Sequence, residues 1–141
     1  MYHYKKIISR LLDQNIYILS NDKQESIIID PGLGFELIDN YLKSQNLKPI
    51  AVLATHAHID HIASANDCIE NYNIPFYICK GNAIMLDHYD IMKGYMNVKS
   101  EKPNVSHWID ESSEKLTIGS FDFKLIYLSL IHISEPTRRT T

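Results

Sequence analysis

Thr55-His56-Ala57-His58-Ile59-Asp60-His61 packs three imidazoles and one carboxylate into the six residues from His56 to His61. Neutral imidazole and carboxylate are ligands for zinc and similar divalent metals. The whole chain has 7 histidines in 141 residues. At that composition such a window should arise by chance in about one chain in a thousand, so a His-rich surface loop is a poor account of it. Upstream, Ile50-Ala51-Val52-Leu53-Ala54 is a short continuous apolar run that reads as a buried strand. Downstream, Ile62, Ala65, Ile69 and Tyr72 recur at helical spacing between polar Ser64, Asn66, Asp67 and Glu70. The cluster therefore closes a strand and opens a helix. That is the carboxyl end of a strand in an α/β layer, where open sheets hold their ligands. Asp60 falls where an N-cap would satisfy free helix amides, a role its two oxygens could combine with ligation.

The pattern T-H-x-H-x-D-H after a buried strand resembles the metallo-β-lactamase superfamily of metallo-hydrolases. Ile27-Ile28-Ile29-Asp30-Pro31-Gly32 is similar to the strand-plus-Asp-Gly element that precedes the metal motif in that family. The likeness covers about residues 15–127. It implies an α/β (α+β) fold, the N-terminal portion of a four-layer αβ/βα sandwich with a mixed sheet covered by helices. It also implies His56 and His58 as ligands of a first metal, Asp60 and His61 as ligands of a second, Asp30 as a support behind the ligand loop and Thr55 as a lesser one. One departure is visible. Many members continue D-H-x-G-G, whereas this chain reads Asp60-His61-Ile62-Ala63-Ser64, which leaves the subfamily open and removes no ligand.

The chemistry implied by the resemblance uses two divalent ions, zinc first, with iron or manganese as alternatives. Such ions make hydroxide available from water near neutral pH. The hydroxide attacks an acyl carbon or phosphorus, with Asp60 as the catalytic residue that binds metal and orients it. The favoured substrate is a small acyl or thioester compound, as in the hydroxyacylglutathione hydrolase (glyoxalase II) group. The alternatives are an RNA phosphodiesterase of the ribonuclease Z kind, an iron-dependent sulfur dioxygenase, and a non-catalytic metal-binding fragment. β-Lactam hydrolysis is disfavoured because no signal-peptide pattern is present.

Composition bounds the remaining possibilities. At this length the chain is one domain or part of one, and 45% hydrophobic residues suffice for a core. The net charge of −3 provides no basic field for nucleic acid, so a small-molecule substrate is expected. No 18-residue apolar run is present, so a membrane span is not supported. Cys68 and Cys79 read as free thiols in a reducing cytosol, which makes a cytoplasmic location the expectation.

Outside the motif, residues 4–10, 15–20 and 25–30 read as a meander of three strands, with a turn at Asp13-Gln14. A helix over about 33–46, with Leu37, Ile38, Tyr41 and Leu42 on one stripe, is expected to cover one face. The motif helix should run to about Asn73. Pro75 then starts the strand Phe76–Cys79, parallel to 50–54. A helix follows from Gly81 to about Met92, in which His88 reads as a partly exposed helix histidine. Lys93 to Ser106 reads as a loop, with Tyr89, Tyr95 and Lys99 as weak substrate-contact candidates. His107-Trp108 suggests edge packing. Residues 115–119 and 121–127 form a hairpin turning at Gly119-Ser120.

Beyond Tyr127 the family usually continues into a P-G-H-T-like turn whose histidine completes the first metal site. Here the chain reads Leu128-Ser129-Leu130-Ile131-His132-Ile133-Ser134-Glu135-Pro136-Thr137-Arg138. This run resembles the in-frame translation of a transposase-type sequencing adapter. Residues 1–127 are therefore expected to be a partial metallo-β-lactamase-like domain and 128–141 a non-native tail. His132 lacks the Pro-Gly turn that would aim it as a ligand. A half-sandwich of this kind is expected to leave an apolar sheet face uncovered and to be poorly stable.

Overall fold

The computed structural model describes residues 2–110, 112 and 115–124. Its central element is a six-stranded sheet in the order β1 (Tyr2–Ile8), β2 (Asn15–Asn21), β3 (Glu25–Ile29), β4 (Lys48–Ala54), β5 (Phe76–Cys79) and β6 (His107–Ile109). β1, β2 and β3 are antiparallel neighbours, whereas β3 to β6 run parallel. The antiparallel pairs follow from short polar turns; the parallel ones need crossovers, which the helices supply. A second sheet is the hairpin of β7 (Lys115–Ile118) and β8 (Phe121–Lys124).

Side-chain alternation sorts the central strands into two apolar faces. Ile16, Ile18, Ile28, Val52, Phe76 and Ile78 point into the larger core. There α1 (Phe35–Ser44) covers them with buried Ile38 and Leu42, each burial stabilising by roughly 1.5–3 kcal/mol. On the opposite face, Ile27 and Ala51 are closed over by Ile118 and Phe121 of the hairpin. Tyr2 ties that hairpin to the sheet edge by stacking on Phe121 at 5.3 Å and by donating its hydroxyl to the Ser120 carbonyl. Both faces are apolar, which is why the strands read as continuous hydrophobic runs.

Four expectations from sequence need correction. The first strand is Tyr2–Ile8, because the Ser9 and Arg10 amides leave the ladder for the carbonyls of Gln14 and Leu33. The motif helix is two pieces, α2 (Ile59–Ile62) and α3 (Ala65–Tyr72), since the Ser64 amide is drawn out to the Pro31 carbonyl at 2.8 Å. The helix after β5 is likewise divided, into α4 (Ala83–Asp87) and α5 (Tyr89–Met96). It does not give way to loop at Lys93: Gly94 sits within α5, and Asn97 stops the helix in the left-handed region at φ 56°. Asp60, finally, is not an N-cap. His58 holds that position, and Asp60 lies in the first turn of α2. Residues 125–127 of the last expected strand, His132 and the 128–141 tail lie outside the described residues.

Candidate metal centre

Four connections meet at the carboxyl ends of the parallel strands: the Asp30 turn after β3, the histidine loop after β4, the turn Lys80–Asn82 after β5, and the β1–β2 turn, which the antiparallel register brings to the same edge. Asp30 itself is in the left-handed region at φ 52° and almost fully buried. Its amide still pairs with Leu53 of β4, which fixes the carboxylate beside the start of the histidine loop.

That carboxylate accepts three bonds. Thr55 donates its amide to Oδ1 and its hydroxyl to Oδ2, both at 2.7 Å. His61 Nδ1 lies 3.1 Å from Oδ2. Since a carboxylate only accepts, neutral His61 carries its proton on Nδ1 and leaves Nε2 as a free lone pair. The same reasoning extends one bond further. Thr55 has spent its single O–H on Asp30, so toward His56 Nδ1, 2.9 Å away, the hydroxyl can only accept. His56 is thereby also held with Nε2 free. One buried carboxylate sets the tautomer of two imidazoles, one directly and one through Thr55.

The three imidazoles face one another with ring centroids 5.2 Å apart for His56–His61, 5.7 Å for His56–His58 and 6.4 Å for His58–His61. Asp60 Oδ2 is 3.8 Å from His61 Nε2. His58 is exposed, while His56, Asp60 and His61 are half-buried. Among the described residues no three His, Cys, Asp or Glu side chains converge closely enough to be a ready-made ion cage. The donor set nevertheless fits a divalent metal: nitrogen lone pairs freed by outer hydrogen bonds, with a carboxylate next to them, are what such ions bind.

Electrostatics separate the two half-buried histidines. Burial pulls His56 below the ordinary imidazole value of 6.5, with the neighbouring His61 adding to it. Burial acts on His61 in the same direction, but the hydrogen bond and charge of Asp30, with the Asp60 charge, outweigh it and carry His61 upward. In a metal-free NMR titration His61 should therefore titrate above 6.5 and His56 below it. The stability contributions have opposite signs. That of His61 is complete below 6.5 and lost as pH rises through its raised pKa. That of His56 is present above 6.5 and lost as pH falls through its lowered one. Metal uptake needs neutral rings, so it should begin to weaken on acidification above 6.5, led by His61. Titration of both rings at the same pH would refute this.

The other candidates fall elsewhere. Tyr89 is 1% exposed, with its hydroxyl on Ser100, so it is a core residue and not a substrate contact. Tyr95 and Lys99 are exposed. His88 is exposed and donates Nδ1 to the Ile84 carbonyl, as a helix-end histidine would. His107 stacks on Tyr77 at 4.5 Å on edge strand β6. Cys68 is buried in the main core, and burial pushes its thiol far up, out of reach of thiolate chemistry. Sequence reading missed Asn82, whose carboxamide reaches the histidine loop; no spacing rule points to a residue 25 positions away.

An imidazole–carboxylate loop seated on the carboxyl ends of a mixed sheet defines an α/β metal-site protein. The chain belongs to the metallo-beta-lactamase superfamily, whose family profile matches residues 9–131. It is 30% identical over 118 residues to the probable metallo-hydrolase YqgX of Bacillus subtilis, covering 82% of this chain and 55% of that one. A hydroxyacylglutathione hydrolase of Buchnera aphidicola is 43% identical over 65 residues, 46% of this chain and 26% of the relative. Among solved structures, the BLEG-1 B3 metallo-beta-lactamase superposes with a TM-score of 0.76 at 31% identity, over 88% of this chain and 60% of that one. The chain thus spans about half the length of the Bacillus relative. No helix among the described residues is long and apolar enough to cross a membrane.

Proposed function

We propose that the intact protein is a metal-dependent hydrolase of a small acyl or thioester substrate, similar in activity to the hydroxyacylglutathione hydrolases. The observation that carries this reading is the Asp30–Thr55 network, which turns the Nε2 lone pairs of His56 and His61 outward beside Asp60. His56 and His58 would hold a first divalent ion, Asp60 and His61 a second. Zinc suits this borderline donor set, and iron or manganese would also be accepted. When bound, such ions supply hydroxide at neutral pH and polarise the substrate's acyl oxygen. The chain's own residues prepare that chemistry. Asp30 and Thr55 fix the tautomer and the aim of the rings, and Asp60 offers a second oxygen to accept a proton and orient the nucleophile. The thioester preference rests on the Buchnera relative, the small-molecule scale on the acidic net charge, which suits neither nucleic acid nor its backbone. Two cysteines without a disulfide support a cytoplasmic setting. A second reading, β-lactam hydrolysis, draws on the 31% identity to BLEG-1.

Elemental analysis of the purified chain, beside a His58→Ala/Asp60→Ala double variant, tests the site. Near-stoichiometric zinc or iron, lost in the variant, is the expected result; equal metal in both would refute the ligand assignment. Hydrolysis of a hydroxyacyl thioester by the full-length gene product tests the substrate. Turnover of a β-lactam in its place would move the assignment to the second reading.

A further inference from the structure

Asparagine at a helix N-cap ordinarily turns its side chain back onto the helix's own first amides. Asn82 occupies the N-cap position of α4 and makes no such bond. Its Oδ1 instead accepts the amide of Ala57 at 3.1 Å, and its Nδ2 donates to the Cys79 carbonyl at 3.4 Å. Ala57 is buried, lies outside helix and strand, and is flanked directly by His56 and His58. Its amide therefore draws a partner from a side chain, not from a ladder. Cys79 closes β5, which pairs with β4 in parallel, so the carboxamide bridges the ends of two neighbouring strands.

We infer that Asn82 is a positioning residue for the histidine loop, holding the Ala57 peptide so that His56 and His58 project with the spacing a shared ion requires. This inference rests on the metal reading above. Asp30 secures the loop at Thr55 and at His61, and Asn82 is the clamp between those two points. Without it the Ala57 amide would be stranded in a buried site, and the His56–His58 separation, 5.7 Å between ring centroids, would no longer be set from outside the loop. Toward Ala57 the side chain only has to accept, so aspartate keeps that bond and gives up only the longer one to the Cys79 carbonyl, whereas alanine keeps neither.

The test uses the 141-residue chain with Co2+ as probe. Asn82→Ala should weaken Co2+ binding about 10- to 100-fold, the range typical of lost outer hydrogen bonds, and change the shape of the visible cobalt absorption. Asn82→Asp should stay within about threefold of the parent. Amide exchange at Ala57 in the metal-free proteins should quicken about five- to tenfold in Asn82→Ala and hold in Asn82→Asp. Unchanged exchange at Ala57 in Asn82→Ala would overturn the inference. So would exchange quickening with no loss of Co2+ affinity and no spectral change. Should the parent chain take up no Co2+, the four donors of this chain do not hold an ion by themselves, and that result bears on the metal reading of this chain alone. The Ala57 exchange rates, with rescue by aspartate, then decide the positioning role.

Discussion

Asp30→Ala should cost about 3–5 kcal/mol of folding stability and abolish metal uptake. Its carboxylate accepts from the Thr55 amide, the Thr55 hydroxyl and His61 at once. Removing it strands donors in a part-buried site, at about 1–3 kcal/mol for each that finds no water. Alanine would also have to sit in the left-handed region that Asp30 occupies at φ 52°, worth about 1 kcal/mol more. Asp30→Asn separates scaffold from chemistry. Asparagine tolerates that backbone and keeps one oxygen for the Thr55 amide, so stability should fall by only about 1 kcal/mol. Its NH2, however, would face Thr55 Oγ1 and His61 Nδ1. Both now meet a donor where they met an acceptor, so both rings are driven to the opposite tautomer and Nε2 is protonated. Metal affinity should drop about 10- to 100-fold, and the upward shift of His61 should disappear from the NMR titration. Urea melts, metal content and that titration report the three effects separately. Parent-like metal affinity in Asp30→Asn would remove the tautomer argument altogether.

The histidine loop was legible because its chemistry is contiguous. His56, His58, Asp60 and His61 lie within one short run of chain, and an apolar run before them with helical spacing after them places the loop on a strand end. The strand–helix–strand unit and the cover by Ile38 and Leu42 follow from the same periodicities. What periodicity does not carry is where a helix yields to a distant partner. Ile62 to Tyr72 has one unbroken apolar stripe, yet the Pro31 carbonyl takes the Ser64 amide and splits the helix. The same blindness hid Asn82, since a carboxamide reaching Ala57 across two strand ends leaves no mark in spacing. Gly94 and Asn97 suggest loop in the sequence for a different reason. Both residues favour turns, but Asn97 is a helix stop, and the stop lies after Met96.

Gly32→Ala should destabilise the fold by about 2–3 kcal/mol and, more tellingly, damage the Asp60–His61 half of the centre more than the His56–His58 half. A Cβ at position 32 would lie 2.5 Å from the Asp60 carbonyl oxygen, 2.5 Å from Gln14 Oε1 and 3.0 Å from Ser9 Cβ. The Gln14 side chain can swing away. The Asp60 carbonyl is backbone of α2 and cannot, because Ser64 just beyond it is bonded to the Pro31 carbonyl at 2.8 Å. Relief therefore requires α2 to retreat by about 0.9 Å or more to reach ordinary contact. That movement carries His61, and Asp60 with it, away from the Asp30 carboxylate, where His61 Nδ1 now stands at 3.1 Å. Thr55 is not part of α2 and keeps its amide on Asp30 Oδ1 and its hydroxyl on Oδ2, so Thr55 and His56 should stay. The expected readouts are a lowered urea midpoint, a His61 titration returned toward 6.5 and a His56 titration left in place. Gly94→Ala is the matched control. A methyl group there would meet nothing within 4 Å, and the position falls within α5. Alanine should stabilise by about 0.5–1 kcal/mol through helix propensity and move neither histidine. Equal behaviour of the two variants would mean that α2 floats free of the Asp30-Pro31-Gly32 turn, and that the turn does not set the second half of the site.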